Sequence, residues 1–388
     1  MQKKIVFIAL AFFLGVSHVW AQRITVAAEL TSDYVPLLKG KKVAIVGNQT
    51  SVVGNVHLVD TLLASGIEVK KIFCPEHGFR GDSEAGAKVS SETDRVTGLP
   101  IISLYGKTKK PSVGDLKGID VVVFDIQDVG ARFYTYISTL HYVMEACAEN
   151  SVTVMVLDRP NPNGFYVDGP VLNPEFKSFV GMHPVPIVHG MTIGEYARMI
   201  KGERWINKAD SCRLQVIKMH GYTHDSLYAL PVAPSPNLQN MNAIYLYPSI
   251  CCFEGTTVSV GRGTAMPFEI IGTPAFSKHD FYFIPHPIAG ASQNPLHNGQ
   301  KCYGLNLENA GREIVTSKKL NLTYLMTMYR YSRKKDFFLK NNFFNLLMGN
   351  DLLMKQIKSG ASEKEIRDSW EPALSQFKSM RQKYLIYE

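Results

Sequence analysis

Val69-Lys70-Lys71-Ile72-Phe73-Cys74 runs directly into Pro75-Glu76-His77-Gly78-Phe79-Arg80-Gly81-Asp82. The first six residues read as a strand, and the proline and glycines that follow read as a tight turn at its C-terminal end. In open α/β sheets, ligands bind at the carboxyl ends of the strands. The turn thus sets Glu76, His77 and Arg80 where a site would form, with Glu76 as the first candidate acid. The alternative reading is a Glu76–Arg80 ion pair that holds the loop.

The same alternation extends outward from this stretch. Lys42–Val46, Pro100–Leu104, Asp120–Phe124 and Thr153–Leu157 read as further strands, and His57–Ala64 and Tyr134–Asn150 as helices. Continuous apolar strands between helices predict a parallel sheet covered on both faces. The expected fold class is α/β: a Rossmann-like parallel-sheet catalytic domain over 22–163, then a second α/β domain over 164–388 that closes the cleft. In that second half, Leu214–Lys218 and Gly304–Leu307 read as strands. Leu322–Tyr331, Asp351–Lys358, Glu363–Trp370 and Ala373–Tyr384 read as helices. Thr192 and Glu195 form a capping-box pair at a helix start.

Residues 1–21 have a basic start, a short apolar core and small residues near Ala21, the pattern of a cleaved signal peptide. Export to the periplasm or the cell exterior is expected, with an uncleaved membrane anchor as the alternative. No later segment is long and apolar enough to span a bilayer. The 388 residues carry a formal charge of +8, reduced by two if Lys3 and Lys4 leave with the leader. That modest excess suits an acidic partner such as an anionic cell-wall polymer. It is spread out, with short clusters at Arg333-Lys334-Lys335 and 107–110, and no nucleic-acid motif accompanies it. The six cysteines form no CxxC pair and mostly sit in apolar runs, as small buried hydrophobes do. Dinucleotide, phosphate-loop, HExxH and GxSxG signatures are absent, so neither cofactor nor metal is expected.

Four strand ends carry polar groups: Asn48-Gln49, Glu76-His77, Asp125-Ile126-Gln127-Asp128 and Asp158-Arg159. In a parallel sheet these ends share one edge, which would gather them in a single cleft. Acid chemistry without a cofactor points to hydrolysis, and glycoside cleavage generally uses two carboxyl groups. Glu76 is the natural acid, with Asp125, Asp128 and Asp158 as candidate partners. Asn48, Gln127 and Asp158 are further candidates for substrate contact. Arg132 and Tyr134 lie in an aromatic stretch suited to sugars, although such a stripe also reads as core. Arg262 sits between two glycines, and Ser235 and Asn237 lie in a proline-stiffened turn.

The motifs PEHGFRGD, SLYGKTKKP, FDIQDVGARFYTYI, LDRPNPNG, HGMTIGE, PSPN, GRGTAMPFEIIGTP and KYLIY occur in that order between Pro75 and Tyr387. Together they resemble the NamZ family of exo-β-N-acetylmuramidases. The resemblance implies a hydrolase that removes N-acetylmuramic acid (MurNAc) from non-reducing ends of peptidoglycan fragments, such as its disaccharide with N-acetylglucosamine (GlcNAc). It also implies that the catalytic glutamate of the PEHG motif is Glu76. Arg262, Arg132 or Arg80 would then meet the lactyl carboxylate of muramic acid. Inversion, a covalent intermediate and participation of the 2-acetamido group all stay open. Around 281–301 the chain departs from the family, being Pro/His/Asn-rich with little sign of a helix. A binding protein for muropeptides, and an amidase or deacetylase, are the competing readings.

Overall fold

The computed structural model describes residues 23–76, 78–80 and 92–388. The signal peptide expected at 1–21 and the candidate His77 lie outside the described residues.

The first part of the chain supplies strands β1 (Lys42–Gly47), β2 (Val52–Val53), β3 (Val56–His57), β4 (Glu68–Cys74), β5 (Glu92–Thr93) and β6 (Pro100–Ser103). Strands β7 (Val121–Asp125), β8 (Thr153–Leu157) and β9 (Arg213–Ile217) follow. Seven of these form one sheet in the order β5-β6-β4-β1-β7-β8-β9, while β2 and β3 make a separate hairpin. Every pairing in the large sheet is parallel except that of the edge strand β5. The strand order reverses direction between β1 and β7. That is the switch point of a doubly wound sheet, where a crevice opens at the strands' carboxyl ends.

Alternate side chains enter two cores, as the two-residue period of a strand requires. Ala44, Val46, Phe73, Val122, Phe124, Val154 and Val156 face one core. Val43, Ile45, Ile72, Val121, Val123, Met155 and Leu157 face the other. Helices α1 (Thr31–Leu38) and α2 (Leu58–Ala64) seal the second face through Tyr34, Leu38, Leu58 and Leu62. After the short α3 (Val113–Leu116), α4 (Tyr136–Glu149) and α5 (Ile193–Gly202) cover the first. Thr192 and Glu195 cap α5 reciprocally.

The boundary expected at Asn163 does not divide the structure. Strand β9 lies well beyond it, yet it pairs along its whole length with β8. The core on that face also continues through α6 (Met241–Ile250) to Phe377, so the two halves share one interior. The second half adds strands β10 (Ile270–Thr273), β11 (Tyr282–Phe283) and β12 (Cys302–Asn306) in a small antiparallel sheet. Helices α7 (Gly311–Ser317), α8 (Thr323–Tyr331), α9 (Phe343–Met348), α10 (Leu352–Ser359) and α11 (Glu363–Arg381) complete it. The two helices expected around Pro372 are one, α11, with the proline inside. An interior proline costs a helix roughly 3 kcal/mol. Burial of Ile366, Trp370, Leu374 and Phe377 along one face offsets that, at about 1.5–3 kcal/mol per large apolar side chain.

The final residues are stitched back to the sheet. Fully buried Glu195 accepts hydrogen bonds from the backbone N–H groups of Ile386 (2.9 Å) and Tyr387 (3.3 Å) and contacts His224 Nε2 at 2.9 Å. The Tyr387 hydroxyl donates to Asp158 at 2.7 Å. Truncation after Tyr384 should therefore cost about 3–5 kcal/mol, the scale for stripping partners from buried charge. Urea unfolding would show this, and an unchanged midpoint would refute it.

Candidate active site

The Pro75–Gly78 turn is closed by a hydrogen bond from the Gly78 N–H to the Pro75 carbonyl (3.3 Å), with Gly78 at φ +78°. Glycine adopts that left-handed conformation without strain. Beyond it, Phe79 buries its ring against His57, 4.5 Å between centroids. Arg80 grips Asp94 with two hydrogen bonds of 2.8 and 2.9 Å and reaches Asp60 at 3.6 Å. Those bonds hold the Asp94 carboxyl down to about 2. Arg80, expected to face substrate or to pair with Glu76, instead anchors the loop through Asp94.

The polar strand ends do converge on one edge, but most are consumed by one another. Asp125 is wholly buried and receives a bidentate pair from Arg159, 2.5 Å from Nε and 2.9 Å from Nη2. Asn48 accepts from Thr50 and donates to the Tyr136 hydroxyl at 3.0 Å. Gln127 donates to the carbonyls of Asp128 and Pro160. Asp158 caps α5 through Thr192 (2.8 Å) and the Gly194 N–H (2.8 Å). Burial, then the nearby Glu195, push its carboxyl up to about 7. Arg132 is completely buried and donates to the carbonyls of Pro170, Val185 and Leu347. It serves as a strut between the two halves of the chain rather than as a receptor for a carboxylate. None of these six lines the cleft described next.

That cleft holds about 200 Å³. Glu76 enters it from the sheet edge, and Tyr105, Phe133, Tyr134, Phe179 and Tyr247 supply aromatic walls. The Tyr105 hydroxyl hydrogen-bonds Glu76; burial first, and then this neighbouring carboxylate, raise the tyrosine's pKa. Tyr134 is held by a 2.8 Å hydrogen bond to the Pro234 carbonyl, which places Ser235 at the rim. Asn237 lies behind, donating to the Ala291 carbonyl at 3.0 Å.

Arg262 faces Glu76's cavity from the second half. It projects from a turn between Gly261 (φ +78°) and Gly263 (φ +81°). A Cβ at Gly263 would lie 2.6 Å from the His286 carbonyl, so the segment 281–301 backs the turn without lining the cleft. Arg262 Nε bonds Glu254 at 2.8 Å, and its Cζ lies 5.1 Å above the Phe268 ring. Among the described residues, its two Nη groups have no hydrogen-bond partner. Phe268 itself is fully buried at φ +61°. A bulky residue held there stores about 1–3 kcal/mol of backbone strain, a feature common at functional sites. Glu254, whose other oxygen lies 3.6 Å from Cys251 Sγ, is the second carboxylate of the cleft. Sequence reasoning missed it; the one available signal was a lone acid ending the apolar run Ile250–Phe253. It also missed Tyr105, which ends the β6 segment as the other site residues end theirs. All six cysteines are buried, and among the described residues none forms a disulfide. Among the described residues, no cluster of three or more His, Cys, Asp or Glu side chains could hold a metal ion.

Two family models match the chain: the N-terminal part of the exo-β-N-acetylmuramidase NamZ over residues 43–242 and its C-terminal part over 245–387. A peptidoglycan β-N-acetylmuramidase NamZ of Bacillus subtilis (strain 168) is 41% identical over 377 residues, covering 92% of this chain and 90% of that protein. Two crystal structures of DUF1343 family proteins from Bacteroides fragilis share the fold. One has 46% identity and a TM-score of 0.87, the other 27% and 0.76; each comparison covers 94% of this chain and 99% of the other. An acid in an aromatic-walled cleft on a doubly wound sheet is the candidate site, and the relatives place the chain among the glycoside hydrolases. Within that class the chain belongs to the exo-β-N-acetylmuramidase NamZ family.

Asp128 offers a test of the buried edge. Its Oδ2 accepts from the Gly130 N–H at 2.7 Å and lies 3.9 Å from His189 Nε2, while its Oδ1 is buried without a partner. Burial pushes its carboxyl from 3.8 up to about 7. A raised acid favours the fold in its protonated form. Its contribution is complete below the ordinary carboxylate range and is lost as pH climbs through about 7. Asp128→Asn should therefore reduce the stability lost between pH 5 and pH 8. Chemical denaturation at both values would measure the change, and a loss equal to the wild type's would contradict it.

Proposed function

We propose that this enzyme releases MurNAc from the non-reducing end of peptidoglycan fragments such as MurNAc-GlcNAc, with Glu76 as the general acid. The observation that carries the reading is the sharing of one aromatic-walled cleft by Glu76 and Arg262. Glycoside cleavage needs a proton for the leaving oxygen, and Glu76 is the strand-end acid that reaches the cleft. Tyr105 orients it from one side. The aromatic faces of Phe133, Tyr134 and Tyr247 suit the apolar faces of sugar rings.

MurNAc differs from GlcNAc by a lactyl ether that ends in a carboxylate. Arg262 is matched to that group: Glu254 holds its Nε edge, leaving the Nη groups to form charge-assisted hydrogen bonds. Glu254 is then a positioning residue for the guanidinium. The leader-like residues 1–21 support export to the periplasm, where such cleavage would serve recycling of cell-wall fragments.

Purified wild type should release MurNAc from MurNAc-GlcNAc, and Glu76→Gln should lose at least a hundredfold in kcat while still binding the disaccharide. Mass spectrometry of the products would decide, and full activity in the variant would move the acid elsewhere. Arg262→Ala should lower kcat/KM on a chromogenic muramide by about 10- to 150-fold, the range for hydrogen bonds to charged groups. On the same muramide with its lactyl carboxylate converted to the amide, the variant should fall much less. Equal losses on both would remove Arg262 from carboxylate recognition.

A further inference from the structure

Away from the cleft, a second groove of about 240 Å³ opens between α8, the segment that follows it and the C-terminal end of α10. Met326, Tyr329 and Arg330 form one face of α8, at the three- and four-residue spacing that aligns side chains on a helix. Lys334 and Lys358 complete the rim. All three cations are exposed, and among the described residues no carboxylate lines the groove. Among the described residues none of the three has an ion-pair partner. The acids close by in sequence are already engaged: Asp336 with Arg333 at 3.5 Å and Asp351 with Lys355 at 2.5 Å. Two of the cations lie near aromatic rings, Lys334 Nζ 5.7 Å from the Tyr329 centroid and Lys358 Nζ 5.3 Å from that of Phe338.

Like charges gathered around a concave surface repel one another, and an anionic occupant relieves that repulsion. Tyr329 adds one aromatic ring to the lining, a side chain that suits contact with a sugar. Charge and shape together call for an anionic saccharide, and the groove is separate from the cavity that holds Glu76. We propose that it docks intact, polymeric peptidoglycan, whose free carboxylates meet Arg330, Lys334 and Lys358 while cleavage proceeds in the other cleft. The choice of occupant rests on the substrate reading above. The docking itself is independent of Glu76.

The test is co-sedimentation of the full chain with purified sacculi. Wild type should sediment, and the bound fraction should fall as salt is raised, because exposed charges are screened. Lys334→Glu/Lys358→Glu should bind at least tenfold more weakly while turning over soluble MurNAc-GlcNAc within twofold of wild type. A control of equal charge change, Lys107→Glu/Lys378→Glu, should bind as wild type does. Sacculi whose carboxyl groups have been amidated should lose the wild type.

Undiminished sedimentation of the groove variant, or equal loss in the control, would overturn the proposal. So would binding to anionic phospholipid vesicles as tight as to sacculi through the same lysines. Wild type that sediments through these lysines yet leaves the disaccharide uncut would support docking and overturn only the cleavage reading. Wild type that cleaves without sedimenting would overturn docking alone.

Discussion

The Asp125–Arg159 pair is the contact on which the sheet's working edge depends. Asp125 ends β7 and Arg159 follows β8, so two parallel hydrogen bonds clamp adjacent strand ends beside the switch point. Arg159 also reaches the Val52 carbonyl at 3.2 Å, and the Ser51 hydroxyl donates to the Asp125 carbonyl. A buried ion pair adds little net stability against a well-packed apolar substitute, but removal of one partner leaves a bare charge, at about 3–5 kcal/mol. Its structural value is positional. With these groups locked to one another, the edge presents, among the described residues, a single carboxylate, Glu76, to the cleft.

The alternation of apolar strands and helices made the parallel sheet legible, because a strand buried on both faces is written as a continuous apolar run. The segments β1, β4, β7 and β8 could be read directly from Val43, Ile72, Val122 and Val154 and their neighbours. Convergence of the polar strand ends was equally legible, since topology alone places them together. Which of them would look outward was not. Asp125 and Glu76 are both acids that end strands, and only the presence of Arg159 one strand over distinguishes them. Glu254 and Phe268 were hidden for a different reason. Their positions depend on tertiary packing between distant segments, which no local period records. Helix α11 shows the converse, a local breaker at Pro372 overridden by a buried face.

The cleft's second wall is built on backbone that other residues would find costly. Gly261 and Gly263 give Arg262 a turn with no room for a Cβ, and Phe268 accepts a left-handed conformation so that its ring lies beneath the guanidinium. The irregular segment 281–301 is the buttress for this arrangement. It supports the arginine's turn and does not line the cleft. Rigidity of this kind fixes the guanidinium in one orientation.

The stitching of the last residues onto Glu195 and Asp158 has a consequence in time. The two regions matched by separate family models are tied together, since Ile386 and Tyr387 of the second donate to the buried Glu195 and Asp158 of the first. A chain emerging from the ribosome can assemble most of the sheet early. Its buried acids Glu195 and Asp158, however, receive these donors only once Ile386 and Tyr387 have been added. A chain interrupted before Ile386 thus leaves both acids buried without these partners.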